Sequence, residues 1–168
     1  MVALVLGAGR FVCYAGFAGL TRIAADWTRE SNGMPVVEFT VKGSPVSHQS
    51  KNKKALAAWK LVISAAATKV WQQPPMTGRM KCTVMYFFEG PKAPLDDDNM
   101  AKPIRDAMNG IVYEDDSQID HTQSSLIPID ATFQVRGVSK VILNAFADGD
   151  EFVYIRVEEA PLLVPLPQ

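Results

Sequence analysis

Apolar and polar side chains alternate from Val36 to Val41, the period-two pattern of a strand with one buried face, and the run ends in the turn residues Gly43-Ser44-Pro45. The period then changes. Leu56, Trp59, Val62, Ile63, Ala66 and Val70 recur at three- and four-residue spacing, which predicts a helix over Ala55–Trp71, stopped by Pro74-Pro75. From Lys81 to Phe88 both faces of the alternation are apolar, with Cys82, Val84, Tyr86 and Phe88 on one and Met85 and Phe87 on the other. A strand buried on both sides belongs in the middle of a sheet. After the turn at Gly90-Pro91, Met100, Ile104, Ala107, Met108 and Ile111 form one apolar helical stripe, opposite Asp98, Lys102, Arg105, Asp106 and Asn109.

That second helix is expected to run for about ten residues, a length of nearly three turns. Pro103 is best tolerated in a first turn, so the start is placed between Asp98 and Lys102, and Asn109-Gly110 supplies the stop. Ile119–Ile127 reads as a further strand, and Ser139–Phe146 with Glu151–Val157 as a terminal hairpin about Ala147-Asp148-Gly149-Asp150. The expected class is α+β, a small mixed β-sheet with two main helices. Residues 1–33 differ in texture, with Gly7, Gly9, Gly16 and Gly19 among small apolar residues, and read as a dispensable extension preceding an alternative start at Met34. VALVLGAG approaches a dinucleotide-binding turn but has Val12 where a third glycine is needed. The compact domain is expected over 34–160, followed by a loose proline-rich tail over 161–168.

The length, 168 residues, is enough for one domain with a hydrophobic core, and the net charge of −1 carries no global sign of a polyanion partner. The distribution of charge changes that picture. No acid occurs from Phe39 to Phe88, where Lys42, Lys51, Lys53, Lys54, Lys60, Lys69, Arg79 and Lys81 lie; from Asp96 to Asp120 eight acids face only Lys102 and Arg105. A polyanion-facing part beside a cation-binding part accounts for this segregation. Cys13 and Cys82 sit in apolar contexts without a CxxC partner, as buried thiols of a reducing cytoplasm do, and no apolar run is long enough to span a membrane.

Three consecutive acids, Asp96-Asp97-Asp98, exceed what a helix dipole favours. In an extended loop Asp96 and Asp98 converge while Asp97 faces elsewhere, and Asp115-Asp116 can return a third carboxylate after the helix. Carboxylates without His or Cys describe a hard-cation site, Mg²⁺ or Mn²⁺. A calcium loop beginning at Asp96 fails, since it needs oxygen ligands at Met100 and Ala107 and a glycine at Ala101. A metal-dependent transferase with an Asp-x-Asp site and a solvated acidic loop capping a helix remain as alternatives. Lys102 suits charge neutralisation at a phosphate, or a structural i,i+4 pair with Asp98. Lys51, Lys53 and Lys54 are the expected contacts to a phosphate polyanion such as DNA, with His48 beside them as a loop residue or phosphate contact. Trp59 and Trp71 read as core or interface anchors.

The run Asp96-x-Asp98-Asn99-x-x-Lys102-x-x-x-Asp106-Ala107-Met108-Asn109-Gly110, followed by Asp115-Asp116-Ser117-Gln118-Ile119, resembles the RusA family of Holliday-junction resolvases. A weaker likeness extends over Met34–Val157. The resemblance implies a RusA-like fold and a homodimeric, Mg²⁺-dependent endonuclease that resolves four-way DNA junctions by paired symmetric nicks, in the cytoplasm of a bacterium or encoded by a phage. By motif position it implies Asp96, Asp98 and Asp116 as metal ligands and Lys102 as the essential basic residue near the scissile phosphate. A non-catalytic branched-DNA-binding protein of the same fold is the other reading. Pro103 and the lysines in place of an arginine-rich strand-to-helix loop depart from the family pattern. The helix Ala55–Trp71 and a sheet edge are the expected dimer interface.

Overall fold

A computed structural model of the chain describes residues 3–7, 10–13, 36–134 and 137–161. The elements are β1 (Ala3–Gly7), β2 (Arg10–Cys13), β3 (Val36–Lys42), α1 (Lys53–Val70), β4 (Met80–Phe88), α2 (Asp97–Met108), β5 (Ile119–Pro128), β6 (Phe133–Gln134), α3 (Lys140–Asp148) and β7 (Phe152–Glu159). Four strands form the main sheet in the order β3-β7-β4-β5. β7 is antiparallel to both β3 and β4, whereas β4 and β5 are parallel and joined through α2. The sheet is mixed, as expected, and β4 occupies the central position that its two apolar faces require.

The alternation along each strand sorts side chains into two cores. On one face Val37, Phe39, Val41, Cys82, Val84, Tyr86, Phe88, Val153, Ile155 and Val157 meet Trp59, Ile63 and Ala67 of α1 and Met100, Ile104, Ala107 and Met108 of α2. On the other, Phe87, Phe152 and Tyr154 lie under Ala145 and Phe146 of α3, with the Phe87 and Phe152 rings stacked at 4.6 Å. Cys82 is a buried free thiol. The helical stripe read from the sequence of α2 is therefore the face that fixes it to the sheet.

Three expectations need correction. Ser139–Phe146 is no strand: α3 is a helix, with the Ser139 hydroxyl accepting from the Ile142 amide at 3.4 Å and Gly149 closing it at φ 77°. Val141, Ile142, Ala145 and Phe146 pack on the second core with helical spacing, so the β-branched residues at the start of the segment masked its period. Among the described residues there are therefore three α-helices, and β7 pairs with β3 and β4 in place of a terminal hairpin. Second, α2 begins at Asp97, which puts Pro103 in mid-helix. Third, α1 begins at Lys53, capped by Asn52, whose side chain accepts from the Ala55 amide at 3.0 Å. Of residues 1–33 only 3–7 and 10–13 are described: β1 pairs antiparallel with β2, so a strand follows at Arg10–Cys13 where a dinucleotide-binding turn would open a helix, and with β6 through Leu4 opposite Phe133. The readings of the Cys13 side chain and of the tail over 162–168 lie outside the described residues.

Candidate active site

The site is built where the central strand hands the chain to α2. β4 ends at Phe88, Gly90 turns at φ 90°, and Asp96 caps α2 without a side-chain hydrogen bond to the helix. Asp97 and Asp98 occupy the first helical turn. Asp97 turns toward β5, its carboxylate accepting from the Ser124 hydroxyl at 3.0 Å; Asp98 accepts from the Asn99 amide at 2.9 Å. Asp97 and Asp98 are helical and not part of the extended loop expected for them, so the alternation that would make Asp96 and Asp98 converge does not apply here. All three carboxylates are exposed, and among the described residues no Lys, Arg or His lies within ion-pair distance of them.

The second acidic pair divides its labour. Asp115 caps the short 3₁₀ turn Asp116–Gln118, its carboxylate accepting from the Ser117 amide at 2.9 Å, while the Gln118 side chain accepts in return from the Asp115 amide. Hydrogen bonding to Ser117 holds the Asp115 carboxyl below the ordinary carboxylate range. Gln118 also donates to the carbonyls of Met76 and Gly78, which ties the turn to the entry of β4. Asp116 is left to face α2, 3.7 Å from Lys102 Nζ and 3.6 Å from Arg105 Nη2.

Lys102 does not pair with Asp98. Its i,i+4 partner is Asp106, at 3.0 Å, and Asp106 in turn accepts from Lys60 of α1 at 2.7 Å. The Asp106 hydrogen bond and charge hold the Lys102 ammonium above its ordinary pKa, so it stays protonated through the neutral range. Burial pushes the Asp106 carboxyl upward, but the two lysine hydrogen bonds and charges together outweigh it and leave the group below the ordinary value. Arg105 donates to the Thr122 hydroxyl of β5 at 2.9 Å, and the Tyr113 hydroxyl donates to the Arg105 carbonyl at 2.8 Å.

Pro103 now has a physical account. In a regular helix the amide of residue 103 would donate to the carbonyl of residue 99, four positions back; proline has no such donor, and its ring crowds that carbonyl. The Asn99 carbonyl accepts instead from the His48 amide at 2.9 Å. This bond docks the 43–52 loop on the first turn of α2, and with it the loop residue Lys51 and the first-turn residues Lys53 and Lys54 of α1, all exposed. Lysines in a helical first turn oppose the helix dipole by a few tenths of a kcal/mol each, about 0.3–1 at most, so helix stability is not the reason for them.

A hard cation fits the donor chemistry of Asp96, Asp98 and Asp116, which is all oxygen and, at the first two, without a partner cation. The structure brings Asp116 to Lys102 and places Asp96 at the cap and Asp98 in the first turn of the same helix. Among the described residues it does not gather three acidic, His or Cys side chains closely enough to hold a metal. Asp106, Lys60 and Arg105 are the residues that sequence reasoning left without a role. The i,i+4 spacing of Lys102 and Asp106 was the available signal; the approach of Lys60, from another helix, had none.

A family model described as Endodeoxyribonuclease RusA matches residues 38–132, more than half of the chain and the span from β3 through the whole acidic site. No curated protein matches the chain.

Proposed function

The chain belongs to the RusA endodeoxyribonuclease family, and from that premise we propose that it is a metal-dependent, structure-selective endonuclease that resolves four-way DNA junctions by paired symmetric nicks. The observation that carries this reading is the placement of Lys102 beside Asp116 on the helix whose first turn holds Asp98 and whose cap is Asp96. Asp96, Asp98 and Asp116 would hold Mg²⁺, or Mn²⁺ in its place. The metal, when bound, supplies an activated water and charge neutralisation at the phosphate. The chain's own residues do the rest. Lys102, kept protonated, faces the negative charge that grows on the phosphoryl oxygens as the bond to the leaving oxygen breaks. Lys51, Lys53 and Lys54 attract the DNA backbone, offsetting the repulsion that the acids exert on it, and lysine point charges favour backbone shape over base sequence.

A junction presents two equivalent strands, which a two-fold homodimer can meet with one site each. The outward face of α1 supports such an interface: Leu61 is 71% and Val62 48% exposed, in line with the small residues Ala58 and Ala65. The domain is assigned to residues 34–160, with residues 1–33 an extension. No described helix is long and apolar enough to cross a membrane, and we place the protein in the cytoplasm of a bacterium or a phage-infected cell.

The test uses purified protein and a labelled synthetic four-way junction, with Mg²⁺ and with EDTA. Mg²⁺-dependent nicks at symmetric positions are expected. Asp98→Asn should abolish nicking while junction binding is kept or tightened, because one substitution removes a metal ligand and a charge repelling DNA. Protein that binds the junction and never nicks it with metal would be the non-catalytic branched-DNA-binding protein instead.

A further inference from the structure

We propose that Asp106, braced by Lys60, is the positioning residue that aims Lys102 at the reaction, an inference that rests on the endonuclease reading. The two oxygens of the Asp106 carboxylate have separate partners: Oδ1 takes Lys102 Nζ at 3.0 Å and Oδ2 takes Lys60 Nζ at 2.7 Å. A carboxylate held at both oxygens is fixed about its terminal torsion, so Oδ1 presents one direction to Lys102. The brace stands on rigid ground. Lys60 lies between Trp59 and Ile63, both buried, and Asp106 between Ile104 and Ala107, also buried; the Ser64 hydroxyl donates to the Ala107 carbonyl at 2.6 Å and pins the two helices together one turn on.

Lys102 is the more exposed member. Its side chain is 47% exposed, against 22% for Asp106, and a free lysine side chain carries about 2 kcal/mol of rotamer entropy. Two carboxylates confine its ammonium, Asp106 at 3.0 Å and Asp116 at 3.7 Å. Asp116 is an expected metal ligand, so Asp106 is the anchor left to Lys102 once Asp116 is engaged. Lys60 also shares the charge of Asp106, which keeps the carboxylate from holding Lys102 so strongly that a phosphate could not draw it away. The same brace links Lys102 to α1, the helix whose first turn carries Lys53 and Lys54.

The experiment compares full-length wild type, Asp106→Asn, Asp106→Glu, Lys60→Met, Lys102→Ala and the double variant Asp106→Asn/Lys102→Ala. Single-turnover nicking of a synthetic junction with Mg²⁺ is measured beside junction affinity in EDTA. Misplacement of a reacting group by about 1 Å costs on the order of 100-fold in rate. Asp106→Asn should therefore slow nicking by about 10- to 100-fold with affinity nearly unchanged. Lys60→Met should give a smaller loss, and Asp106→Glu a partial recovery. The double variant should be no slower than Lys102→Ala, since residues acting as one unit do not add. A second readout is independent of cleavage: the Lys102 side-chain Cε–H NMR signal, assigned with Lys102→Ala, should move in Asp106→Asn. If wild type does not nick at all, the endonuclease reading falls, while an unmoved Lys102 signal overturns the positioning role whatever the activity. Wild-type nicking by Asp106→Asn, or losses that multiply in the double variant, would overturn it too.

Discussion

Pro103→Ala separates two effects that the wild-type chain combines. Proline costs about 3 kcal/mol relative to alanine inside a helix, largely through the lost amide and the crowding of the carbonyl four residues back. Here the Asn99 carbonyl has found the His48 amide at 2.9 Å, which already recovers about 0.5–1.5 kcal/mol of that cost. Alanine should therefore stabilise α2 by a net of about 1.5–2.5 kcal/mol, a rise of about 3–10 °C in Tm for a domain of this size. The loop should respond in the opposite sense. With a helical donor restored, His48 shares its acceptor, and loss of a bond of about 0.5–1.5 kcal/mol makes local opening roughly 2- to 13-fold more frequent. Thermal unfolding reads the first effect and amide hydrogen exchange at His48 the second. Junction nicking should slow, because the loosened loop carries Lys51 and leads into Lys53 and Lys54. An unchanged His48 exchange rate, or a lower Tm, would refute the account of Pro103 as the residue that frees a docking carbonyl.

Burial pushes the Cys82 thiol from 9.0 up to about 12. Because the folded pKa is raised, the stability from the neutral thiol is complete below pH 9 and declines as the pH climbs toward 12, while the unfolded chain ionises first. Denaturant midpoints measured across that window should fall less steeply in Cys82→Ala; an identical slope would show that other groups cause the decline. Ser139→Ala should cost about 1 kcal/mol of stability by removing the cap of α3, and a neutral result would count against a helix at this position. A chain beginning at Met34 should keep junction nicking, and its failure to fold would assign the β1–β2–β6 pairing to the domain itself.

The sequence was most legible where one period runs unbroken. β4 showed both apolar faces and sits at the centre of the sheet; α2 showed its stripe, and Met100, Ile104 and Met108 are fully buried. It was least legible in α3. Val141 and Ile142 favour strands by side-chain shape, yet Ser139 and Gly149 marked both ends of a nine-residue helix. The caps, whose backbone geometry only those residue types serve well, were the better guide than β-propensity, which depends on the surface a segment meets. The start of α1 was missed for a related reason. The apolar period from which the helix was read begins only at Leu56, whereas the helix starts at the Asn52 cap, in a turn that carries no apolar side chain before Ala55.

In the site, motif spacing brought out the carboxylates and Lys102, whereas the partners that govern Lys102 came from elsewhere. Asp106 was in view as part of a charged face, and an exposed i,i+4 pair would be worth only about 0.3–0.5 kcal/mol. Lys60, 46 residues earlier, changes what that pair is. By taking the second oxygen it turns a surface ion pair into an oriented one, at a contact between two helices already fixed by the core. The same logic applies to Pro103. A helix breaker is an anomaly on its own helix and an asset to the loop across from it, because the carbonyl it leaves free is the acceptor that the His48 amide uses. Both residues work through groups distant in sequence, and both converge on the first three turns of α2. The crowding of charge between Asp96 and Asp120 is thus balanced at Asp106 and Asp116 by lysine and arginine from the fold itself, and under the proposed reaction a cation would balance it at Asp96 and Asp98.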